Sequence, residues 1–568
     1  MLPKHNVVRG THHRHPVQAL TCRISKPPRI GMTGHKENRI MIEATRRAGL
    51  TMALAAALCA ATATATARPL TIAVAAEPSS MDPLFSRTGN NQAAAENIFD
   101  RLVSTDENMQ VQPGLAVSWK AVTPDTWEIK LRQGVKFHDG TPLTPDDVVF
   151  SLQRAGTVAN SPAPFTGAVR GIEKIEIADS ETLRIHTKGP VPDFMEQAGL
   201  VYILARHAAD GKKNEDFNRG TAAIGTGPYK FKQWQPGDRL ELVRNDAYWG
   251  RKPDFETLTI RYISNGATRV SALLSGTVDL IDSVPPTDAA KLKTNPAISV
   301  FSSPSARLIY LALDSARDRS PFITDAAGKP MSVNPLKDVR VRQAISALIM
   351  REPLTARMLS GAGVPAGQMV PEGLGGYSPA LPAPKYDPAA AKSLLAAAGY
   401  PNGFGITIHT SNDRFFGDSE IGQAMGQMLA RGGIKVNGVV TQPYNIYAGA
   451  AAKQTYSAFI FSYGNSTSDS ANGLTNVLAT FDAEKGTGAF NRSRYSNPRF
   501  DSLLAQASSQ FDTAQRDALL RQAAETAFND VAVVPLYFPV VEWAARKGIT
   551  FKANKLERTS AQYIEEKK

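Results

Sequence analysis

Apolar and charged residues alternate along TWEIKLR, residues 126–132. Trp127, Ile129 and Leu131 fall on one side and Glu128, Lys130 and Arg132 on the other, the period of a strand buried on one face, and Gln133-Gly134 supplies a turn. ETLRIHT (181–187) and TLTIRYI (257–263) follow the same spacing, and LTIAV (70–74) reads as a shorter strand. Elsewhere the spacing is helical. Thr144 is placed to cap TPDDVVFSLQR, with Pro145 at the first helical position and Asp146 and Asp147 facing the positive end of the helix dipole. Ile421, Met425, Met428 and Leu429 share one face of a helix ended by Gly432-Gly433. Asn497 caps a helix whose inner face is Phe500, Leu503, Leu504 and Ala507, and Leu520, Ala523, Ala524 and Ala527 define another.

Two wholly apolar runs stand apart from this alternation: LIYLAL (308–313) and VAVVPLYF (531–538). Such runs predict strands covered on both faces. If both cross between two lobes, the chain leaves one lobe at the first and returns at the second, which makes a hinge. Strands and helices are mixed along the chain without a fixed repeat, so the fold class is α/β.

Composition alters this picture mainly at the N-terminus. The first 67 of the 568 residues carry ten Lys or Arg against two acidic residues, so most of the formal net charge of +12 belongs to them. TRRAGLTMALAAALCAATATATA has the basic start, apolar stretch and A-x-A end of a secretory signal. Residues 41–67 are therefore expected to be a signal peptide cleaved after Ala67, and residues 1–40 a mis-called start upstream of Met41 rather than a nucleic-acid-binding arm. Arg46-Arg47 leaves the Sec and twin-arginine routes both open, because Gly49 stands where the latter wants a bulky apolar residue. With the leader removed, basicity no longer argues for a nucleic-acid partner, and both cysteines, Cys22 and Cys59, are gone. A soluble, exported protein without disulfide or thiolate metal site is expected.

Catalytic motifs are sparse. The sequence contains no G-x-x-x-x-G-K-[ST], G-x-S-x-G, H-E-x-x-H or C-x-x-C pattern. His138, His186, His207 and His409 are too widely spaced for a local metal motif, and the glycines of GTGPYKF (225–231) read as a turn. The expectation is no catalytic residue, no metal and no cofactor.

The stretch VQPGLAVSWKAVTPDTWEIKLRQGVKFHDGTPLTPDDVVFSLQR, residues 111–154, closely resembles the signature of family 5 extracellular solute-binding proteins, the peptide and nickel class that serves ABC importers. GTGPYKFKQWQPGDRLELVRNDAYWG, PLKDVRVRQAISALI, VPAGQMVPEGLGGYSP, YDPAAAKSLLAAAGYPNGF and DVAVVPLYF match further family landmarks in order. The resemblance implies a type II periplasmic-binding-protein fold, with two lobes joined by a hinge and one lobe split into two subdomains. Lobe I is expected at 68–308, including an inserted subdomain at about 86–225, lobe II at 309–534, and a return to lobe I over 535–568. It also implies a monomer that delivers its ligand to the transmembrane subunits of an ABC permease. The alternatives are an oligopeptide binder with a chaperone-like or sensory role, and a periplasmic hydrolase.

The resemblance also suggests site residues. Dipeptide-binding relatives carry, in the loop matching FSYGNSTSDSANG (461–473), an aromatic followed three residues later by an aspartate that grips the peptide's amino group. Aligned on Tyr463, that place is held by Ser466, a neutral hydroxyl that cannot make the charge-assisted bond, and Asp469 is the candidate substitute. Arg414 in SNDRFF resembles the arginine such proteins use for the ligand carboxylate; the competing reading is a solvated arginine paired with Asp413 or Asp418. Asn90, Asn91, Asn465 and Asn472 are candidate amide contacts or simply turn formers. Arg307 is either a second anion contact or a salt bridge between domains. The expected ligand is small, polar and carboxylate-bearing, a peptide or amino-acid derivative.

Overall fold

The computed structural model describes residues 68–567, so the expected extension, signal peptide and cleavage after Ala67 lie outside the described residues. The alternating runs form strands Thr126–Leu131, Thr182–Thr187 and Thr257–Tyr262, with Trp127, Ile129 and Leu131 buried. Helix Pro145–Ala155 begins where its cap predicts: the Asp147 carboxylate accepts from Thr144 N at 2.9 Å and Thr144 Oγ1 at 2.7 Å.

The longest strand, Val534–Arg546, organises everything else. Its N-terminal part pairs with Arg307–Leu313 and Gly363–Pro365; its C-terminal part, from Val540, pairs with Ile298–Pro304 and then with Leu280–Ile281. Outward from it on one side lie Arg307–Leu313, Ala458–Gly464, Gly405–Ser411 and Ile323–Thr324. On the other lie Leu280–Ile281, Leu70–Val74, Thr257–Tyr262, Arg239–Arg244 and Tyr229–Gln235. One strand is thus shared by two lobes. The first crossing falls at Ser305-Ala306, where Ser305 N donates to Pro539 O at 2.8 Å. The second falls near Phe538–Val540, inside the strand and later than the 534/535 boundary expected from the apolar run, because the strand continues through the junction while changing partners.

Separate cores flank the junction. Leu70, Ile72, Leu258, Ile260 and Trp543 belong to the first lobe. In the second, the pleat sends Leu308, Tyr310 and Phe461 to one face and Ile309, Leu311 and Ile460 to the other, and helices cover both. The first lobe also carries an antiparallel four-stranded sheet, ordered Ala116–Thr123, Thr126–Leu131, Thr182–Thr187, Ile172–Ile177. The C-terminal segment is fastened to the first lobe by a buried carboxylate, Glu96, which pairs with both Arg101 and Arg558.

Helix Pro498–Ala507 is capped by Asn497 Oδ1, which accepts from Arg499 N at 3.0 Å and Phe500 N at 3.2 Å. Asn497→Ala is expected to cost about 1 kcal/mol. In urea unfolding the midpoint should fall with an unchanged slope, and an unchanged midpoint would show that the cap contributes nothing.

Candidate functional site

The loop after strand Ala458–Gly464 is wound by its own small polar side chains. Asn465 Nδ2 donates to Thr467 O at 2.7 Å and Asp469 O at 2.8 Å, and Tyr463 OH donates to Asn472 Oδ1 at 2.7 Å. Asp469 is taken by Arg516, whose Nε and Nη2 reach Oδ2 at 3.1 and 2.9 Å. Asp469 therefore stands in a salt bridge rather than as a free carboxylate for an ammonium. Ser466 receives a long contact, 3.4 Å, from Arg87 Nη2 of the other lobe.

At the other end, Arg414 lies in the loop after strand Gly405–Ser411. Its backbone N–H donates to Asp418 Oδ2 at 3.0 Å, and Asp413 accepts from Tyr444 N at 2.7 Å. The guanidinium itself pairs with neither aspartate. It lies 4.7 Å over the Tyr444 ring, and although the residue as a whole is exposed, desolvation of the guanidinium and the nearby Arg307 lower its pKa. Among the described residues it has no ion-pair partner. Arg307 donates from Nε and Nη2 to the two oxygens of Glu557 at 3.0 and 3.1 Å, joining the first crossing to the C-terminal segment, which is the domain-interface alternative.

The amides of Asn90 and Asn91 serve their own loop. Asn90 donates to Glu77 O, while Asn91 accepts from Ser79 N at 3.2 Å and from Thr88 Oγ1 at 2.8 Å and donates to Ser80 O at 3.2 Å. Asn91 is buried.

The lobes also touch through side chains near the first crossing, where Asn465 N donates to Ala306 O at 3.1 Å. Glu196 accepts from Ser468 N and Oγ, both at 2.7 Å, and Arg516 approaches Asp193 at 3.7 Å. Trp127 faces Phe511 at 6.2 Å between ring centroids. These contacts join the two lobes beside the shared strand. A cavity at the lobe junction is lined by Arg101, Thr105, Glu196, Ser466, Leu556 and Arg558, and the buried Thr105 Oγ1 and Asn465 Oδ1 have no hydrogen-bond partner within the protein. Such atoms cost free energy unless something else satisfies them. Among the described residues no cluster of His, Cys, Asp and Glu could hold a metal ion.

Sequence reasoning passed over Arg87, Glu196, Tyr444, Arg492 and Arg516. Arg87 sits in the SRTGNNQ stretch, three residues before Asn90, and the asparagines drew attention because they are turn formers. The others come together only through folding.

A sequence profile described as bacterial extracellular solute-binding proteins, family 5 Middle, matches residues 110–485. The chain is 28% identical over 516 residues to glutathione-binding protein GsiB of Escherichia coli strain K12, a match covering 90% of this chain and 96% of the relative. It is 27% identical over 473 residues to heme-binding protein A of Haemophilus influenzae, covering 78% and 82% respectively. A solved structure of the ABC transporter-associated periplasmic binding protein DppA from Helicobacter pylori, in complex with peptide STSA, superposes with a TM-score of 0.74 at 26% identity. That match covers 88% of this chain and 98% of the other.

The contact between lobes carries a pH dependence. Desolvation, then the charges of Asp469 and Asp193, raise the pKa of Glu196, and desolvation raises that of Asp469 although Arg516 opposes it. The charge of Asp469 on Glu196 and that of Asp193 on Asp469 act between the lobes, so both carboxylates hold a proton more tightly when the lobes are together than when they are apart. Closure is therefore favoured as the pH falls toward these raised values and opposed above them. The distance between labels on the two lobes should shorten when the pH is lowered from about 8 to about 5, above the ordinary glutamate value of about 4.3. Glu196→Gln should remove most of the change; a distance that ignores pH, or lengthens in acid, contradicts this.

Proposed function

The chain belongs to the bacterial extracellular solute-binding proteins of family 5, and from that premise we propose that it captures a small carboxylate-bearing solute, a peptide or amino-acid derivative, between its lobes. Members of this family bind a solute outside the cell membrane and hand it to an ABC importer. The permease partner of this chain is accordingly the transmembrane part of such an importer, and its working place is the periplasm. Relatives at comparable identity carry names for glutathione and heme, and the DppA structure holds a tetrapeptide, so the family relation leaves the ligand class to the site.

The observation that carries the ligand reading is the unpaired Arg414 guanidinium over Tyr444. A guanidinium attracted to a ring face keeps its N–H donors available, and a carboxylate accepts two of them in parallel. Each such bond contributes about 1.5 to 3 kcal/mol. The other end is poorly suited to an ammonium: Ser466 is neutral, Arg87 lies against it, and Asp469 is committed to Arg516. An amino-terminal clamp of the dipeptide kind is therefore not part of the proposal.

A melting-temperature screen of carboxylic acids and peptides, each paired with its amide, tests the reading. A ligand at 100 times its Kd adds about 2.7 kcal/mol of apparent stability. Arg414→Ala should weaken a carboxylate-bearing hit by at least about tenfold, or about 1.4 kcal/mol, and its amide far less. Equal losses for acid and amide would remove Arg414 from carboxylate recognition.

A further inference from the structure

Two guanidiniums beside one row of aromatic rings, and a third reaching toward it from the other lobe, form no ion pair among the described residues, and we propose that together they select a ligand carrying at least two carboxylates. The inference rests on the carboxylate role of Arg414 and extends it along that row. Ring contacts trace the row. Arg414 lies 4.7 Å over Tyr444, and Tyr444 is 6.1 Å from Phe461. Arg492 lies 3.9 Å over Phe461 and 5.5 Å over Phe490, and Phe490 is 5.8 Å from Tyr463. Just beyond Tyr463 is Ser466, where Arg87 reaches across from the opposite lobe.

The carboxylates of the region are committed elsewhere. Glu557 pairs with Arg307, Asp469 with Arg516, and Glu96 with Arg101 and Arg558. Glu196 is held by Ser468, Asp413 by Tyr444 N, and Asp418 by Arg414 N and Ser419 N. Among the described residues none of Arg87, Arg414 and Arg492 forms an ion pair. Arg87 is enclosed enough that desolvation lowers its pKa, so its positive charge is held at a cost.

Closure carries Arg87 toward the lobe that holds the other two, concentrating like charge in a cleft of reduced dielectric. A ligand with a single carboxylate compensates one of the three. A ligand with two or more converts repulsion between lobes into attraction, and this is a contact made only in the closed state, which is what biases a clamp toward closing. Phe490, 43% exposed, offers a ring face to the body of the ligand between its carboxylates.

Calorimetric titration of the whole protein with N-acetyl-Glu-Glu and N-acetyl-Gln-Gln compares ligands of one skeleton with three carboxylates and one. The first is expected to bind at least about tenfold more tightly, and to weaken more steeply with added salt. Arg87→Gln and Arg492→Gln should each remove most of that advantage. Equal affinities, an advantage that survives both substitutions, equal salt dependence of the two ligands in the unmodified protein, or no binding of N-acetyl-Glu-Glu at about 1 mM would overturn the inference. The role of Arg414 fails separately, if N-acetyl-Gln-Gln and its C-terminal amide bind alike.

Discussion

One strand shared by two lobes is the constraint on which the structure depends. Val534–Arg546 carries ladder partners from the second lobe at one end and from the first lobe at the other, and the neighbouring chain crosses beside it at Ser305-Ala306. Each lobe keeps its own core, so rotation about this junction leaves both packed. Pro535 and Pro539 lie in the shared strand and cannot donate ladder hydrogen bonds, so fewer bonds resist bending there. Arg307 and Glu557, half-buried in mutual contact at the first crossing, keep the C-terminal segment registered against the strands.

Charge is distributed so that the lobes hold each other in one place and the ligand is wanted in another. Asp193, Glu196 and Asp469 crowd around Arg516 and Ser468, where the protein supplies both partners of each contact. Along the aromatic row Arg87, Arg414 and Arg492 form no ion pair among the described residues. The first arrangement is tuned by protons; the second offers its charge to an anion from outside. A solute-binding protein requires this division, because a clamp that closed equally well with and without ligand would carry no information to its permease.

Much of the scaffold was legible in the residues. The period of TWEIKLR, the caps at Thr144 and Asn497, and the apolar face of Asp418–Arg431 are local properties, and the folded chain realises them with few surprises. The two apolar runs became the adjacent strands Arg307–Leu313 and Val534–Arg546, and the point where the second changes partners was not legible because such a strand shows no break in its own composition. The candidate site was legible at one end only. Arg414 lay in a recognisable stretch, whereas its supporting ring, Tyr444, comes from a separate helix. Asn90, Asn91 and Asn465 looked like ligand contacts, but asparagine satisfies backbone groups of its own loop as readily as those of a guest. Arg87 and Arg492 carried no periodic or motif signal. Their meaning lies in the carboxylates they do not meet, which only three dimensions can show.

The most direct measurement is a crystal structure of the protein with the solute it retains on mild purification, or with the strongest hit of a screen. The account predicts a closed clamp in which a ligand carboxylate lies about 2.8 Å from the Arg414 guanidinium, with the Tyr444 ring still beneath it. A ligand bound through an ammonium group near Ser466, with Arg414 turned into bulk water, would contradict it.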